Sequence, residues 1–351
     1  MESEVLKNQA KNVLLECLNR VSFLEVESIR EGPSVGESRA DLSIRVVLPG
    51  GTSQDLVVEV KNNGQPRIAR EAINSLKRFV AENPSCYGIF MAPYISPRAA
   101  EILSKEGIGY LDLSGNMRLC FGQVYIEQDG RPNIFAQKRD LRSLYSPKAC
   151  RVLRVLLSVP KKSWKIKELS IEAKVSLGQV SNVKKLLNDR EWIRIEQDGF
   201  SLIEPLPILM EWSQNYDYRK NRVETFYSLK DIAEIEADLS RVCSQEKITY
   251  ALTGFSGGAR FAPAVRYQRV YAYVESGEKD IASLMDLKRV PSGANVILLS
   301  PYDEGVFYGL REIEEMHIAT PIQVYLDLKG IRGRGEEAAN TLLEKEILPQ
   351  W

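Results

Sequence analysis

Two runs that alternate apolar and polar residues, DLSIRVVL (41–48) and DLVVEVK (55–61), constrain this chain more than any other feature. Alternation of this kind belongs to strands with one buried face, and the Pro-Gly-Gly between the runs marks a tight reversal. The pair is therefore a hairpin. On its second strand Leu56, Val58 and Val60 share one face and Glu59 and Lys61 the other; on its first, Leu42, Ile44 and Val46 lie opposite Asp41, Ser43 and Arg45. Register decides whether the polar residues meet. A three-residue loop, Gly50–Thr52, pairs Asp41 with Lys61 and leaves Glu59 diagonal on the same face. A two-residue Gly50-Gly51 turn sets Asp41 against Val60 instead, and the cluster is lost.

Composition narrows the chemistry such a cluster could do. The chain has a single histidine, His317, which removes most zinc sites and argues against a Ser-His-Asp triad. Its five cysteines, Cys17, Cys86, Cys120, Cys150 and Cys243, are scattered without a CxxC pair and read as buried free thiols. What remains is carboxylate and lysine chemistry with a hard cation. Asp41 and Glu59 are the candidate ligands of Mg2+, needed only if the site is active, and Asp41, Glu59 and Lys61 the candidate catalytic set. Lys61 would orient water or stabilise developing charge, Gln65 could add a polar contact, and Glu59 and Lys61 should face solvent in a cleft. The plainer alternative is the solvated face of an ordinary strand.

Around the hairpin, residues 2–19 read as a helix with Val5, Val13, Leu14, Leu15 and Leu18 in its apolar stripe. Helices over 67–83 and 96–107 and strands at YGIFMAP, IGYLDL and QVYIEQ complete a mixed α/β segment. Asp112, Gly115 and Asn116 follow one of these strands as a turn, or face the same cleft. An acid, then Glu-x-Lys at a strand end, between flanking helices, resembles the PD-(D/E)XK nuclease superfamily. The resemblance implies a restriction-endonuclease-like fold. It departs from the family at Ala40, where a proline is usual, and in its helix acid, for which Glu16 is the best match.

The net charge of zero hides a segregation. From Lys138 to Arg190 the chain has fourteen Lys and Arg against four acids, the footprint of a module that meets phosphates. Helical sequence begins at Ser146, a second helix at KIKELSIEAKV and a third at SLGQVSNVKKLLNDR, followed by a hairpin turning at Asp198-Gly199. This is the order of a winged helix-turn-helix. The third helix, capped by Ser176, would enter the major groove. Gln179, Ser181, Asn182, Lys184 and Lys185 would contact DNA, and Lys161, Lys162 and Lys165 would follow the backbone, with Lys167 among them.

The last part opens with helical sequence, including SLKDIAEIEADLSRVCSQ, and continues in apparent strands at RVYAYVE, NVILLSP and PIQVYLDL. A nucleotidyltransferase needs a Gly-Ser turn followed by paired acids on a strand. The turn stands at Gly254-Phe255-Ser256, but Tyr271 and Tyr273 fill the acid positions, so transfer chemistry is not expected. YALTGFSGGARFAP and TPIQVYLDLKGIRGRGEEAANTLLEKEI, behind the third-helix region, resemble the AbiEi family of type IV toxin–antitoxin regulators. The resemblance covers about residues 145–351 and implies operator binding and a nucleotidyltransferase-like toxin as partner. Arg332 and Arg334 lie in a basic loop, suited to a partner or phosphate contact.

The expected architecture is an α/β multidomain chain: a restriction-endonuclease-like α/β domain (1–137), a winged helix-turn-helix domain (138–206) and a C-terminal α/β, degenerate nucleotidyltransferase-like domain (207–351). The expected function is a non-catalytic DNA-binding regulator of a toxin–antitoxin or phage-defence type system; the alternative is a metal-dependent DNA nuclease targeted by the winged helix. Expected partners are double-stranded DNA, a nucleotidyltransferase-like toxin and a second copy in a homodimer, with no membrane. With no apolar run near the roughly 20 residues of a membrane span and no basic-then-apolar start, the expected location is cytoplasmic.

Overall fold

The computed structural model describes residues 3–35, 38–134, 144–275 and 281–351. Lys138, Arg139 and Arg142, at the start of the basic segment, lie outside these described residues. The chain divides into two units, residues 1–140 with 186–191, and residues 141–185 with 192–351.

In the first unit α1 (Ser3–Asn19) buries Leu6, Ala10, Leu14, Cys17 and Leu18, one stripe at helical spacing. Val5, expected in that stripe, is 47% exposed. Then come β1 (Glu25–Glu31), the short ladder of β2 (Ser34–Val35) and β3 (Ser38–Arg39), β4 (Leu42–Val47), β5 (Ser53–Val60), α2 (Pro66–Glu82), β6 (Cys86–Ala92), α3 (Pro97–Lys105), β7 (Gly109–Asp112), β8 (Met117–Phe121) and β9 (Val124–Gln128). One sheet runs in the order β1-β4-β5-β6-β7-β8-β9, antiparallel at both ends and parallel through β5, β6 and β7. The parallel joins are made through α2 and α3, as parallel neighbours require. β1 has no alternation because it is a largely exposed edge strand.

The hairpin loop is Pro49–Gly51. Val47 pairs with Ser53, and the Leu48 N–H donates to Thr52 O at 2.8 Å. Gly50 and Gly51 sit at φ +91° and +80°, a region only glycine enters without strain. The register is one step off the Gly50–Thr52 loop at each side, with Leu42 against Val58, yet the loop is still odd in length. Facing parity therefore survives. Leu42, Ile44, Val46, Leu56, Val58 and Val60 pack with α1, while Val57 and Phe90 pack on the opposite face with Ala69, Ile73 and Leu76 of α2 and Leu103 of α3.

Along the second half of the chain, α4 (Pro147–Ser158), α5 (Ile166–Glu172) and α6 (Leu177–Asp189) are followed by a hairpin of β10 (Ile193–Glu196) and β11 (Gly199–Leu202). Glu196 pairs with Gly199, so the turn is Gln197-Asp198, one residue earlier than the sequence suggests. Gly199 is explained by Trp164, which bridges to Phe200 and whose carbonyl would lie 2.7 Å from a Cβ at 199.

Beyond it lie α7 (Pro205–Asn215), β12 (Arg222–Tyr227), α8 (Ile232–Glu246), β13 (Tyr250–Leu252), α9 (Gly254–Phe261), β14 (Val270–Val274), α10 (Ile281–Leu284), β15 (Lys288–Arg289), β16 (Val296–Ser300), β17 (Arg311–Ile313), β18 (Met316–Ile318), α11 (Pro321–Gly330) and α12 (Gly335–Leu342). The sheet order is β15-β12-β16-β14-β13-β18-β17. PIQVYLDL, expected as a strand, is the helix α11. Its residues from Pro321 to Leu328 are all buried, so no polar face marks the helical period, and Thr320 caps it through the Gln323 N–H.

The glycines of α9 let it lie close to α11: a Cβ at Gly257 would meet Val324 Cγ2 at 2.9 Å and Leu252 O at 3.0 Å. Replacing Gly257 with Val should cost about 1–3 kcal/mol in urea unfolding. A change within about 0.5 kcal/mol would show that α9 can shift freely.

Candidate functional site

Asp41 stands one step before β4, opposite Glu59 when the Leu42–Val58 pairing is continued, and its N–H donates to Val58 O at 3.1 Å. Lys61 donates to Glu59 Oε1 at 2.6 Å. The three predicted residues thus gather at one end of the hairpin. Glu59, placed toward solvent by the sequence, is instead only 8% exposed, packed beside Phe90 in the ladder, while Lys61 is partly exposed. Burial works against the Lys61 ammonium, but the hydrogen bond and charge of Glu59, with Asp41 adding, outweigh it and hold its pKa above normal. Lys61 is thereby favoured in its charged form.

A residue that sequence reasoning missed completes the cluster. Lys7 of α1 places its Nζ 2.6 Å from Asp41 Oδ1. The other oxygen, Oδ2, accepts the Val60 N–H at 2.8 Å. Glu16, the proposed helix acid, is exposed, nine residues along α1 from the lysine that reaches the cluster. A magnesium ion needs several oxygen ligands around it. Here both Asp41 oxygens and one Glu59 oxygen already face donors. Among the described residues no group of three or more His, Cys, Asp and Glu side chains could hold a metal. As arranged, the residues do not fit a divalent ion.

Asp112 and Asn116 belong to a turn. Asp112 is fully buried; its Oδ1 accepts the Ser114 and Asn116 N–H groups at 2.9 Å and its Oδ2 the Ile95 N–H at 3.1 Å. Asn116 in turn exchanges hydrogen bonds with the backbone of Arg131. Of the cysteines, Cys17, Cys86, Cys150 and Cys243 are buried, but Cys120 is exposed.

α6 carries the predicted DNA-contacting residues. Its N–H at Gln179 donates to Ser176 Oγ at 3.2 Å, so Ser176 caps it. Val180, Val183, Leu186 and Leu187 are buried; Gly178, Ser181, Asn182 and Lys185 are exposed at spacings of three, one and three, a single outward stripe. Gln179 and Lys184 flank it, half-buried, and the Lys184 ammonium lies 5.3 Å from the Phe200 ring centroid. Lys161, Lys162 and Lys165 are exposed. Lys162 is engaged within the fold, with Glu168 at 2.5 Å and the Trp164 ring at 3.7 Å. An open groove of 550 Å³ beside the cap is lined by Lys148, Ser170, Ile171, Lys174, Val175, Ser176 and Gln179. Lys148 and Lys174 were visible in the basic segment, but only folding brings them next to Gln179.

The C-terminal part of the chain holds a buried polar knot around Asp327. Asp327, 1% exposed, accepts from Tyr216 at 2.7 Å, Tyr273 at 2.8 Å, Gln323 at 3.1 Å and the Thr253 hydroxyl. Gln323 Oε1 accepts from Arg154 Nε at 3.1 Å. Burial pushes the Asp327 carboxyl up, against the lowering effect of its donors, and pushes the Tyr216 and Tyr273 hydroxyls far up. Nearby, Arg151 of α4 grips Asp303 with Nε at 2.8 Å and a second nitrogen at 2.8 Å, and adds Glu304 at 2.7 Å. Arg332 and Arg334 are exposed, and Arg334 pairs with Glu337 at 2.7 Å.

Together these features describe a mixed α/β protein with an outward-facing helix in its basic segment and a C-terminal sheet beside a buried polar knot. The C-terminal region is AbiEi-like: residues 201–348 match the family described as "Transcriptional regulator, AbiEi antitoxin, Type IV TA system". No curated protein matches the chain. Among solved structures, a repair endonuclease from Pyrococcus abyssi aligns at 20% identity over 32% of this chain and 47% of that one, with a TM-score of 0.24. EndoMS in its apo form aligns at 18% identity over 30% and 45%, with a TM-score of 0.22. EndoMS in a complex with double-stranded DNA aligns at 18% over 28% and 42%, with a TM-score of 0.21. The chain thus spans less than half the length of these three structures. Among the described residues no helix is long and apolar enough to cross a membrane.

Proposed function

We propose that this chain is a DNA-binding regulator of a toxin–antitoxin or phage-defence type system. In this reading residues 144–206 are a winged helix-turn-helix with α6 as its recognition helix. The C-terminal α/β region takes the antitoxin role, with a nucleotidyltransferase-like toxin as partner. The first unit, whose hairpin carries the acid and Glu-x-Lys spacing that resembles PD-(D/E)XK proteins, serves as a nucleic-acid clamp without cutting, in the cytoplasm. The observation that carries the reading is the outward stripe of α6: amide, hydroxyl and ammonium groups exposed on one side, with aliphatic side chains buried on the other. Asn and Gln can pair with adenine edges, and Lys with phosphates or guanine. The AbiEi match behind it favours regulation over other uses of such a helix.

The test is equilibrium binding of the full chain to duplex DNA over a range of salt. Log affinity should fall against log salt with a slope of about −0.9 for each neutralised phosphate. Replacing Lys184 and Lys185 together with Ala should weaken binding to every sequence and flatten that slope by about two. Replacing Asn182 or Gln179 should instead relax sequence preference, by roughly 1–3 kcal/mol for each base edge no longer read. If the double lysine variant keeps both affinity and slope, α6 does not bind the DNA.

The alternative, a metal-dependent nuclease, is favoured by one observation, the gathering of Asp41, Glu59 and Lys61. Cleavage of duplex DNA that needs magnesium or manganese and disappears in Glu59→Ala or Lys61→Ala would establish it.

A further inference from the structure

The cluster at the hairpin end contains two carboxylates and two ammonium groups, and each acid has its own lysine. Lys61 serves Glu59 from two residues along the same strand end. Lys7 serves Asp41 from α1, a helix whose buried side chains, Leu6 and Ala10, pack on the opposite face of the sheet. A pair of acids meeting at a strand end repel each other unless a cation sits between or beside them. In a metal site the divalent ion supplies that charge. Here the chain supplies it from its own residues, and the cluster sums to zero.

We infer that Lys7 is a built-in counter-ion that stands in for a metal at Asp41 and keeps the Asp41–Glu59 pair closed to divalent cations. Three observations meet in this. The Lys7 ammonium lies 2.6 Å from Asp41 Oδ1, where a metal bound by that oxygen would have to approach. The Val60 N–H fixes Oδ2 at 2.8 Å, so the carboxylate cannot turn to offer both oxygens. Glu59 is mostly buried and already held by Lys61 at 2.6 Å, which leaves it little freedom to swing toward a new ion. A unit positive charge a few ångströms from a bound divalent ion weakens its binding roughly tenfold or more, even with water-like screening. Lys7 is partly exposed, so it is also the member of the cluster that a substitution can remove with least disturbance to packing.

The inference concerns the first unit alone, and the outcome of the DNA-binding experiment on α6 leaves it untouched. Its test is a titration of the full chain with Mn2+, followed by electron paramagnetic resonance of the free ion and by calorimetry. Wild type, Lys7→Ala, Lys7→Gln and the double variant Lys7→Ala/Glu59→Gln are compared. The wild type should bind Mn2+ only weakly, in the millimolar range if at all. Lys7→Ala and Lys7→Gln should each tighten binding at least tenfold, and Glu59→Gln should remove that gain. The Gln variant keeps the length and polarity of the side chain without its charge, so it carries the test if the Ala variant folds poorly. Two results would overturn the inference. One is a wild type that already binds Mn2+ through Glu59 with Lys7 variants no tighter. The other is a pair of folded Lys7 variants that gain no affinity at all.

Discussion

Replacing Asp327 with Ala is expected to lower the unfolding free energy by about 3–5 kcal/mol, measured in urea with the slope m unchanged. The carboxylate is 1% exposed and collects four donors: the hydroxyls of Tyr216, Tyr273 and Thr253 and the amide of Gln323. Removing it leaves those donors facing an apolar gap. An orphaned buried polar group costs about 1–3 kcal/mol, and loss of one charged member of a buried network costs about as much as the figure given. The two tyrosines can relieve part of the loss by turning to each other, since their hydroxyls are already 2.9 Å apart. A loss under about 1 kcal/mol would mean that the knot contributes little to stability.

The same residue sets a pH dependence. Burial raises its pKa in the fold above the unfolded value of roughly 3.9. Its contribution is therefore full below about pH 4 and is lost as pH rises through the raised folded pKa. Asp327→Asn removes this titration, so the wild type should lose stability relative to the Asn variant as pH rises above about 4. A constant difference across that range would mean that Asp327 keeps its ordinary pKa.

Replacing Arg151 with Ala should cost about 3 kcal/mol. The Arg151 and Asp303 side chains are 9% and 8% exposed, and the guanidinium makes a two-point grip on the carboxylate. The Arg151 pKa is held above normal, first by its hydrogen bond to Asp303. Truncation leaves Asp303 largely buried with the Gly305 N–H, at 2.8 Å, as its remaining donor in the described geometry. That places the cost near the lower end of the 3–5 kcal/mol range for broken buried pairs. Its partner Glu304 is 62% exposed and should matter little: Glu304→Ala is expected to change stability by less than about 1 kcal/mol. In a double-mutant cycle, Arg151→Met with Asp303→Asn should lose less than the sum of the two single changes. Additive losses would show that the pair is not coupled.

How much of this could be read from the sequence depended on whether the signal was local. The hairpin was legible because alternation is a two-residue pattern, and the loop was misplaced by one residue without changing which side chains face together. α6 was legible because its aliphatic residues recur at helical spacing beside a Ser cap. Lys7 was not, since nothing in the sequence of α1 says that this lysine, rather than Lys11 or Glu16, meets the end of a strand more than thirty residues away. Asp327 was hidden differently. It is one acid in an apolar run read as a strand, and its partners come from positions 216, 253, 273 and 323. Tyr273 was singled out for the acid it replaces, whereas in the fold its hydroxyl serves an acid on another element.

The burial of α4 bears on how this protein could have been assembled. Every residue from Ala149 to Leu157 is buried, including two arginines whose guanidinium groups end on Asp303 and Gln323. A helix at the edge of a free-standing module would keep one side in water. This one is wet on neither side, so the segment that contains α6 is not portable. Expressed alone, residues 144–206 would present a row of aliphatic side chains and two unmatched cations to solvent. Recombination that swapped this segment between relatives would have to carry α11 and the Asp303 segment with it, or rebuild the α4 face at the same time.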